Sequence, residues 1–373
     1  MKVALLVFPL HHSHGCILQT YALYSKLRSM GCDVTILDRQ PEDASLIRLV
    51  FLISKRVGLR LLKGYRGAIF YKGWFPKKIM GQQQSFIDSF RKDIIEVHST
   101  EELESTVSSG NFDTIVVGSD QTWRPCNVPN VMDYWLDFAR DISVRKVAYA
   151  PSFGVDNWEY TEEQTVKCKE LAGLFTGLSV REESGVRLCK DNIGFDVTHV
   201  LDPTMLWDIS FYAPIAKRFA MNKGGCQCYF LDRSPEKLTI ANQVADLLHL
   251  EVNFINTETE NENAPFKKRI APSIEKWLAG FYNGDFIVVD SFHAMVFSII
   301  FQKSFIVLGN RKRGLSRFES LLKELGLENR LLSDLKQLTD IINEPIDWES
   351  VNEKLKVRRQ FSIGYLKENL GLQ

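Results

Sequence analysis

The chain lacks most of the signatures that declare a function outright. Seven cysteines are scattered at positions 16, 32, 126, 168, 189, 226 and 228, and none forms a CxxC pair. An odd, dispersed set argues against a disulfide framework and suits a reducing compartment. Cys226 and Cys228 flank Gln227 with no second ligand pair nearby, so no metal is expected there. GxGxxG, GxSxG, HExxH and the P-loop lysine are all missing. Dinucleotide binding through the usual fingerprint, serine hydrolysis, zinc hydrolysis and Walker-type ATP hydrolysis are thereby disfavoured. No run of about 20 apolar residues could span a bilayer. The opening MKVALLVF is short and is followed by PLHHSHG, not by a small-residue cleavage site, so it reads as a first buried strand. Net charge is also missing: 46 Lys and Arg balance 46 Asp and Glu, so nothing draws the whole chain to nucleic acid. A cytoplasmic protein whose anion sites are local is the expectation.

One absence is itself local. From Ile47 to Met80 there are nine Lys and Arg and no Asp or Glu. Two readings stand. This basic, apolar insertion at about 46–80 is either a surface helix pair whose long stems cover apolar surface, or a contact with an anionic lipid surface.

What is present is a repeated strand, polar loop and helix. Val3–Phe8 leads through a loop to apolar residues at helical spacing (Ile17, Leu18, Tyr21, Leu27, Met30), then Val34–Leu37, a βαβ unit. Asp113–Val117, Lys146–Tyr149, Leu178–Val180 and Val197–Leu201 continue the strands, with Gln82–Phe90 and Thr161–Leu174 as helices. A second set follows: Cys228–Leu231, Pro235–Leu248, Val252–Ile255, Ser273–Phe281, Phe286–Val289 and Phe305–Leu308. This predicts an α/β protein of two Rossmann-like domains facing across a cleft. They would span 1–205 and 206–345, with a charged helix in 346–373 packing back over the seam.

Ligands of such sheets bind beyond the carboxyl ends of the strands, so the loop residues there are the candidates. Asp290, Ser291 and His293 follow one strand, and His293 suits a general acid or base. Asn310, Arg311, Arg313, Ser316 and Arg317 follow the next. Ser316 and Glu319 read as a capping box, whose helix N-terminus would face an anion. Arg181, at another strand end, can fork a carboxylate. GSDQTW contributes Gly118, Ser119, Asp120 and Trp123, an expected polar pocket with an aromatic wall for a sugar ring. Ser152 lies on a similar rim loop, and His14 and Gly15 open the first helix. The three histidines of HHSH read as a polar loop, not a metal site.

Six blocks carry a family resemblance: HGCILQTYAL (14–23), DTIVVGSDQTW (113–123), VAYAPSFG (147–154), SVREESGVRLC (179–189), HVLDPTMLW (199–207) and 290–322. In this order they resemble the polysaccharide pyruvyl transferase family. The resemblance implies a GT-B-like fold and transfer of pyruvate from phosphoenolpyruvate to a sugar, usually as a cyclic ketal. No cofactor is expected to be required, since Arg and Lys can neutralise the phosphate. Arg181 looks like the family's anion-binding arginine and His293 like its catalytic histidine. Many members carry arginine two residues before that histidine, where this chain has Ser291. The expected donor set is therefore Arg181, Ser291, Asn310, Arg311, Arg313, Ser316 and Arg317. Asp120 would assist His293 or hold a sugar hydroxyl, and His14, Gly15, Gly118, Ser119, Trp123 and Ser152 would meet the acceptor. That acceptor is expected to be a sugar, for instance an oligosaccharide on a polyprenyl diphosphate. Two rivals remain: a glycosyltransferase using a nucleotide sugar, and a sugar- or anion-binding relative without activity.

Overall fold

The computed structural model describes residues 1–42, 50, 53–55, 57, 58, 60, 78–259, 261, 264–309 and 314–372. Asn310, Arg311 and Arg313, and most of the basic 46–80 segment, lie outside the described residues.

Two five-stranded parallel sheets organise the molecule. The first comprises β1 (Lys2–Val7), β2 (Asp33–Arg39), β3 (Ile94–Val97), β4 (Thr114–Val117) and β5 (Arg145–Ala148), in the order β3-β2-β1-β4-β5. A short parallel pair, β6 (Ser179–Val180) and β7 (Thr198–His199), extends it, because Gly177 bridges Val147 at the β5 edge. The second sheet comprises β8 (Cys226–Tyr229), β9 (Val252–Phe254), β10 (Phe286–Val289), β11 (Ser304–Leu308) and β12 (Leu331–Leu332), in the order β12-β11-β10-β8-β9. The inner strands β4 and β10 are buried along their whole length and, Thr114 apart, apolar (TIVV in β4, FIVV in β10), as parallel strands covered by helices must be.

Several expectations hold residue for residue. Thr161 caps helix Glu162–Ala172 through a full capping box with Gln164. Ser273 caps Ile274–Asn283, and the charged tail forms Trp348–Leu370. Others are corrected. The predicted helix over 82–90 narrows to Gln84–Asp88 between two 3-10 turns, and the strand over 197–201 to Thr198–His199. Edge strand β3 and helix Thr100–Ser109 were not foreseen. β3 exposes Ile95, and the helix buries only Leu103 and Val107, so neither shows a strong apolar period. The capping box expected at Ser316 is not formed. Helix Ser316–Leu325 starts one residue earlier on Leu315, and no side chain caps it.

The halves interlock. His14, at the start of helix His14–Ser29, stacks on Trp277 at 5.3 Å and 13°, and its Nε2 lies 2.8 Å from the Pro272 carbonyl oxygen. Gly314, at φ +83°, packs on the Gly154 carbonyl so tightly that a Cβ would lie 2.1 Å from it. The tail helix binds the first half through Leu201 N–H donating to Ser362 Oγ (3.0 Å) and Tyr365 Oη donating to Ala148 O (3.0 Å). It meets the second half through Lys354 and the Leu325 carbonyl (3.0 Å), and through the Arg358–Glu324 ion pair. Among the described residues no helix is long and apolar enough to cross a membrane.

Candidate active site

The carboxyl ends of five strands converge on one buried polar cluster. β4 delivers Asp120, β6 Arg181, the turn after β7 Asp202, β10 His293, and β11 leads to Arg317. This is the rim where the strand order predicts ligands.

Asp202 sits at its centre. Oδ1 accepts from Thr204 N (3.0 Å) and Thr204 Oγ1 (2.6 Å), and Oδ2 accepts from Gln19 Nε2 (2.6 Å) and Arg181 Nη1 (2.8 Å). His293 Nε2 stands 3.6 Å from the same Oδ2, longer than a hydrogen bond. Burial alone would raise the Asp202 carboxyl. His293 and Arg181, with Thr204 donating, outweigh it and hold the group below the usual carboxylate range.

Arg181 is only 1% exposed at its side chain. Its guanidinium lies over the Phe292 ring at 4.7 Å, and Nη2 is 3.8 Å from Asp120. Among the described residues Nε and Nη2 find no hydrogen-bond partner. Burial works against its charge, but Asp202, Asp120 and Glu182 prevail and raise its pKa. Arg317 approaches the same Phe292 ring at 5.7 Å. With the Gln121 amide turned so that its oxygen faces Arg317, that oxygen accepts at 3.0 and 3.1 Å. Burial, then the charge of Arg181, lower Arg317 to about 10. Two guanidinium groups thus flank one aromatic ring, and an anion set between them would meet both.

His293 lies in the first turn of helix Phe292–Ile300, whose N-cap Ser291 makes no side-chain capping bond. Its imidazole rests against Gly15, where a Cβ would stand 2.2 Å from Nδ1. Gly15 is therefore the seat of the His293 ring. Asp120 adopts φ 87°, a left-handed backbone stabilised by Oδ1 accepting from Gln121 N (2.8 Å). Burial would raise its carboxyl, but Arg181 and then His293 hold it down.

The expected acceptor residues do not form a sugar platform. Trp123 is fully buried, stacked on Trp135 at 4.1 Å and 8°, with Nε1 donating to Tyr134 O (3.0 Å). Its aromatic faces belong to the core. Ser152 Oγ donates to Glu182 Oε1 (2.9 Å), which also accepts from Phe153 and Gly154 N–H groups. Ser119 Oγ donates to Ala150 O (2.6 Å), and Gly118 N donates to Leu6 O (2.8 Å). His14 is buried at the seam, where burial lowers it to about 4. These residues build the rim but offer no open face. Asp290 is likewise structural, accepting from Leu231 N and Lys237 Nζ (2.7 and 2.6 Å). Among the described residues no three His, Cys, Asp or Glu stand together as a metal site.

Three members of the cluster were not singled out from sequence: Asp202, Gln19 and Phe292. Asp202 carried a usable signal, an acid followed by proline immediately after a strand. Gln19 and Phe292 carried none, being a polar residue inside an apolar helix and an aromatic beside a histidine.

Comparison by sequence with curated proteins finds no match. Among solved structures, the UDP-GlcNAc 2-epimerase from Methanocaldococcus jannaschii superposes with a TM-score of 0.54 at 12% identity, covering 97% of this chain and 99% of its own. The S. aureus MnaA–UDP co-structure gives 0.52 at 10% identity, covering 100% and 97%. The UDP-N-acetylglucosamine 2-epimerase from Rickettsia bellii gives 0.50 at 10%, covering 98% of each. At such identities the likeness is one of fold, and the fold is GT-B-like. Sequence places the chain more narrowly. The polysaccharide pyruvyl transferase family matches residues 14–312, a span that holds Gly15, Asp120, Arg181, Asp202 and His293. The chain belongs to the polysaccharide pyruvyl transferase family.

Proposed function

We propose that the protein transfers pyruvate from phosphoenolpyruvate to a sugar of a cell-surface polysaccharide or its lipid-linked precursor, as a cyclic ketal. The carrying observation is the buried Arg181, whose Nε and Nη2 have no hydrogen-bond partner among the described residues, beside Arg317 and within the same cluster as His293. Unsatisfied buried N–H groups cost about 1–3 kcal/mol, which a forked carboxylate or phosphate would recover. Phosphoenolpyruvate carries two anionic ends, and two guanidinium groups meet that need. Arg317 in this reading takes the place of the arginine that Ser291 lacks. The 310–313 segment, with its three cations, adds to the donor side.

The chemistry then balances without further reactants. The methylene carbon of the donor gains a proton, and a sugar hydroxyl adds to C2 while losing its own. The C2–O bond to phosphate breaks, a second hydroxyl adds, and its proton leaves on inorganic phosphate. His293 carries these protons in turn, and Asp120, held ionised by Arg181, orients a hydroxyl or the cation-like centre. The acceptor is a sugar, for which an oligosaccharide on a polyprenyl diphosphate is our choice. The 46–80 segment would hold the protein against the anionic surface where such acceptors sit.

The test is thermal shift and product mass spectrometry with phosphoenolpyruvate against a panel of nucleotide sugars. Stabilisation by phosphoenolpyruvate, with a product heavier by pyruvate less one water and a ketal methyl signal by NMR, is expected. Stabilisation by a nucleotide sugar alone would overturn the assignment in favour of glycosyl transfer. Donor binding without phosphate release on any acceptor would favour an inactive relative.

A further inference from the structure

Asp202 has more claimants than oxygens. Its Oδ1 is fixed by Thr204, while Oδ2 serves Gln19 and Arg181 and leaves His293 Nε2 waiting at 3.6 Å. Among the described residues His293 Nε2, which is buried, has no hydrogen-bond partner, and neither do two nitrogens of Arg181. The ring cannot retreat, since it lies against Gly15. One carboxylate oxygen is therefore contested by the arginine expected to grip the donor and the histidine expected to move protons.

Resting on the donor assignment above, we propose that Asp202 is an exchangeable counter-ion. Without donor it neutralises Arg181; with donor bound to Arg181 it neutralises a protonated His293, so donor binding draws a proton from solvent onto His293. The donor anion takes over the charge of the guanidinium. The carboxylate, no longer fully compensated and too deep to be hydrated, then favours the imidazolium beside it. A closure of less than 1 Å would bring the 3.6 Å contact to hydrogen-bond length. The proton then sits on the residue that gives it to the methylene carbon, and the first sugar hydroxyl replaces it. Asp202 is in this role a positioning residue, because it acts through His293.

The other charges around His293 do not supply this exchange. Asp120 faces Arg181 and feels His293 and His12, but its Oδ1 is occupied by its own Gln121 N–H. Arg317 opposes protonation and lies by Gln121. His14, from the helix under the ring, turns to Pro272 and Trp277.

Calorimetric titration with phosphoenolpyruvate, in two buffers of different ionisation enthalpy, reads the proton count directly. It is run at about pH 8, above the second ionisation of a phosphate ester. The wild type is expected to take up as much as one proton per donor. Uptake should fall by at least half in Asp202→Asn and vanish in His293→Asn. Gln19→Leu gives a second test should Asp202→Asn fail to fold. It removes the neutral claimant from Oδ2 and leaves Arg181 there as the counter-ion, so uptake is expected to persist with binding, and binding without uptake in this variant overturns the exchange. Donor binding without uptake in the wild type overturns the exchange and leaves the donor assignment standing. Uptake undiminished in Asp202→Asn also overturns it, because the donor charge alone would then suffice. No binding at all sinks both.

Discussion

The two halves of the site are built from opposite charges. The first half brings carboxylates, Asp120, Glu182 and Asp202, around a single arginine, Arg181. The second half brings His293 and Arg317, and the acid that follows β10, Asp290, turns away to Lys237 and the Leu231 and Asp232 backbone. Neither set is comfortable alone. A buried group of acids with one cation, or two buried bases, would be strongly disfavoured, whereas the joined cluster compensates. Bringing the halves together and assembling the site are thus one event.

The largest effect expected on that contrast is chemical. His293→Ala should lower turnover about 10²–10⁴-fold while leaving phosphoenolpyruvate affinity within a few-fold, read by phosphate release and calorimetry. Near-normal turnover would remove His293 from catalysis.

The seam comes next. His14 and His199 are both lowered from 6.5 to about 4, chiefly by burial. Between those values the unfolded chain binds protons that the folded one does not, so stability falls as pH drops from 6.5 towards 4. Each histidine withdraws up to about 3 kcal/mol across that window. Denaturant midpoints from pH 7 to 4.5 should show the slope. His14→Phe, which keeps the stacking on Trp277, should flatten it. The depressed Asp120 and Asp202 act in the same direction but lower down, below the ordinary carboxylate value near 3.9.

Arg317→Gln separates function from fold. Donor affinity should fall about 10–100-fold, the equivalent of one charge-assisted hydrogen bond. The unfolding temperature should hold or rise, because burial and the Arg181 charge disfavour this cation in the folded state. Loss of both affinity and stability would show Arg317 to be a structural strut. Gly15→Ala is of similar size and moves both readouts at once, because the new methyl meets the His293 ring. About 1–3 kcal/mol of stability and a fall in turnover are expected, measured on one preparation.

Much of the fold was legible because its signals are local. β-branched runs such as FIVV, glycine and proline punctuation, and hydroxyl N-caps such as Thr161 and Ser273 need no knowledge of distant partners. The strand-end rule also located Arg181, Asp120 and His293 on one rim. What sequence could not supply was the direction in which each side chain points. Trp123 in a glycine-rich loop suggests a pocket wall, but the loop folds its indole inward onto Trp135. Ser316 three residues before Glu319 suggests a capping box, but Leu315 takes the N-cap position and Ser316 falls in the first turn of the helix. Asp202 was passed over because its importance lies in its neighbours, Gln19 and Arg181, which stand 183 and 21 positions away in the chain.

The tail helix has a consequence for how the protein is made. It ties Leu201, His199 and Ala148 to Ser362, Arg358 and Tyr365, partners 161, 159 and 217 residues later. At a synthesis rate of roughly 5–20 residues per second, those partners follow on the order of ten to forty seconds behind. Through that interval the first sheet has emerged with a face waiting for its cover.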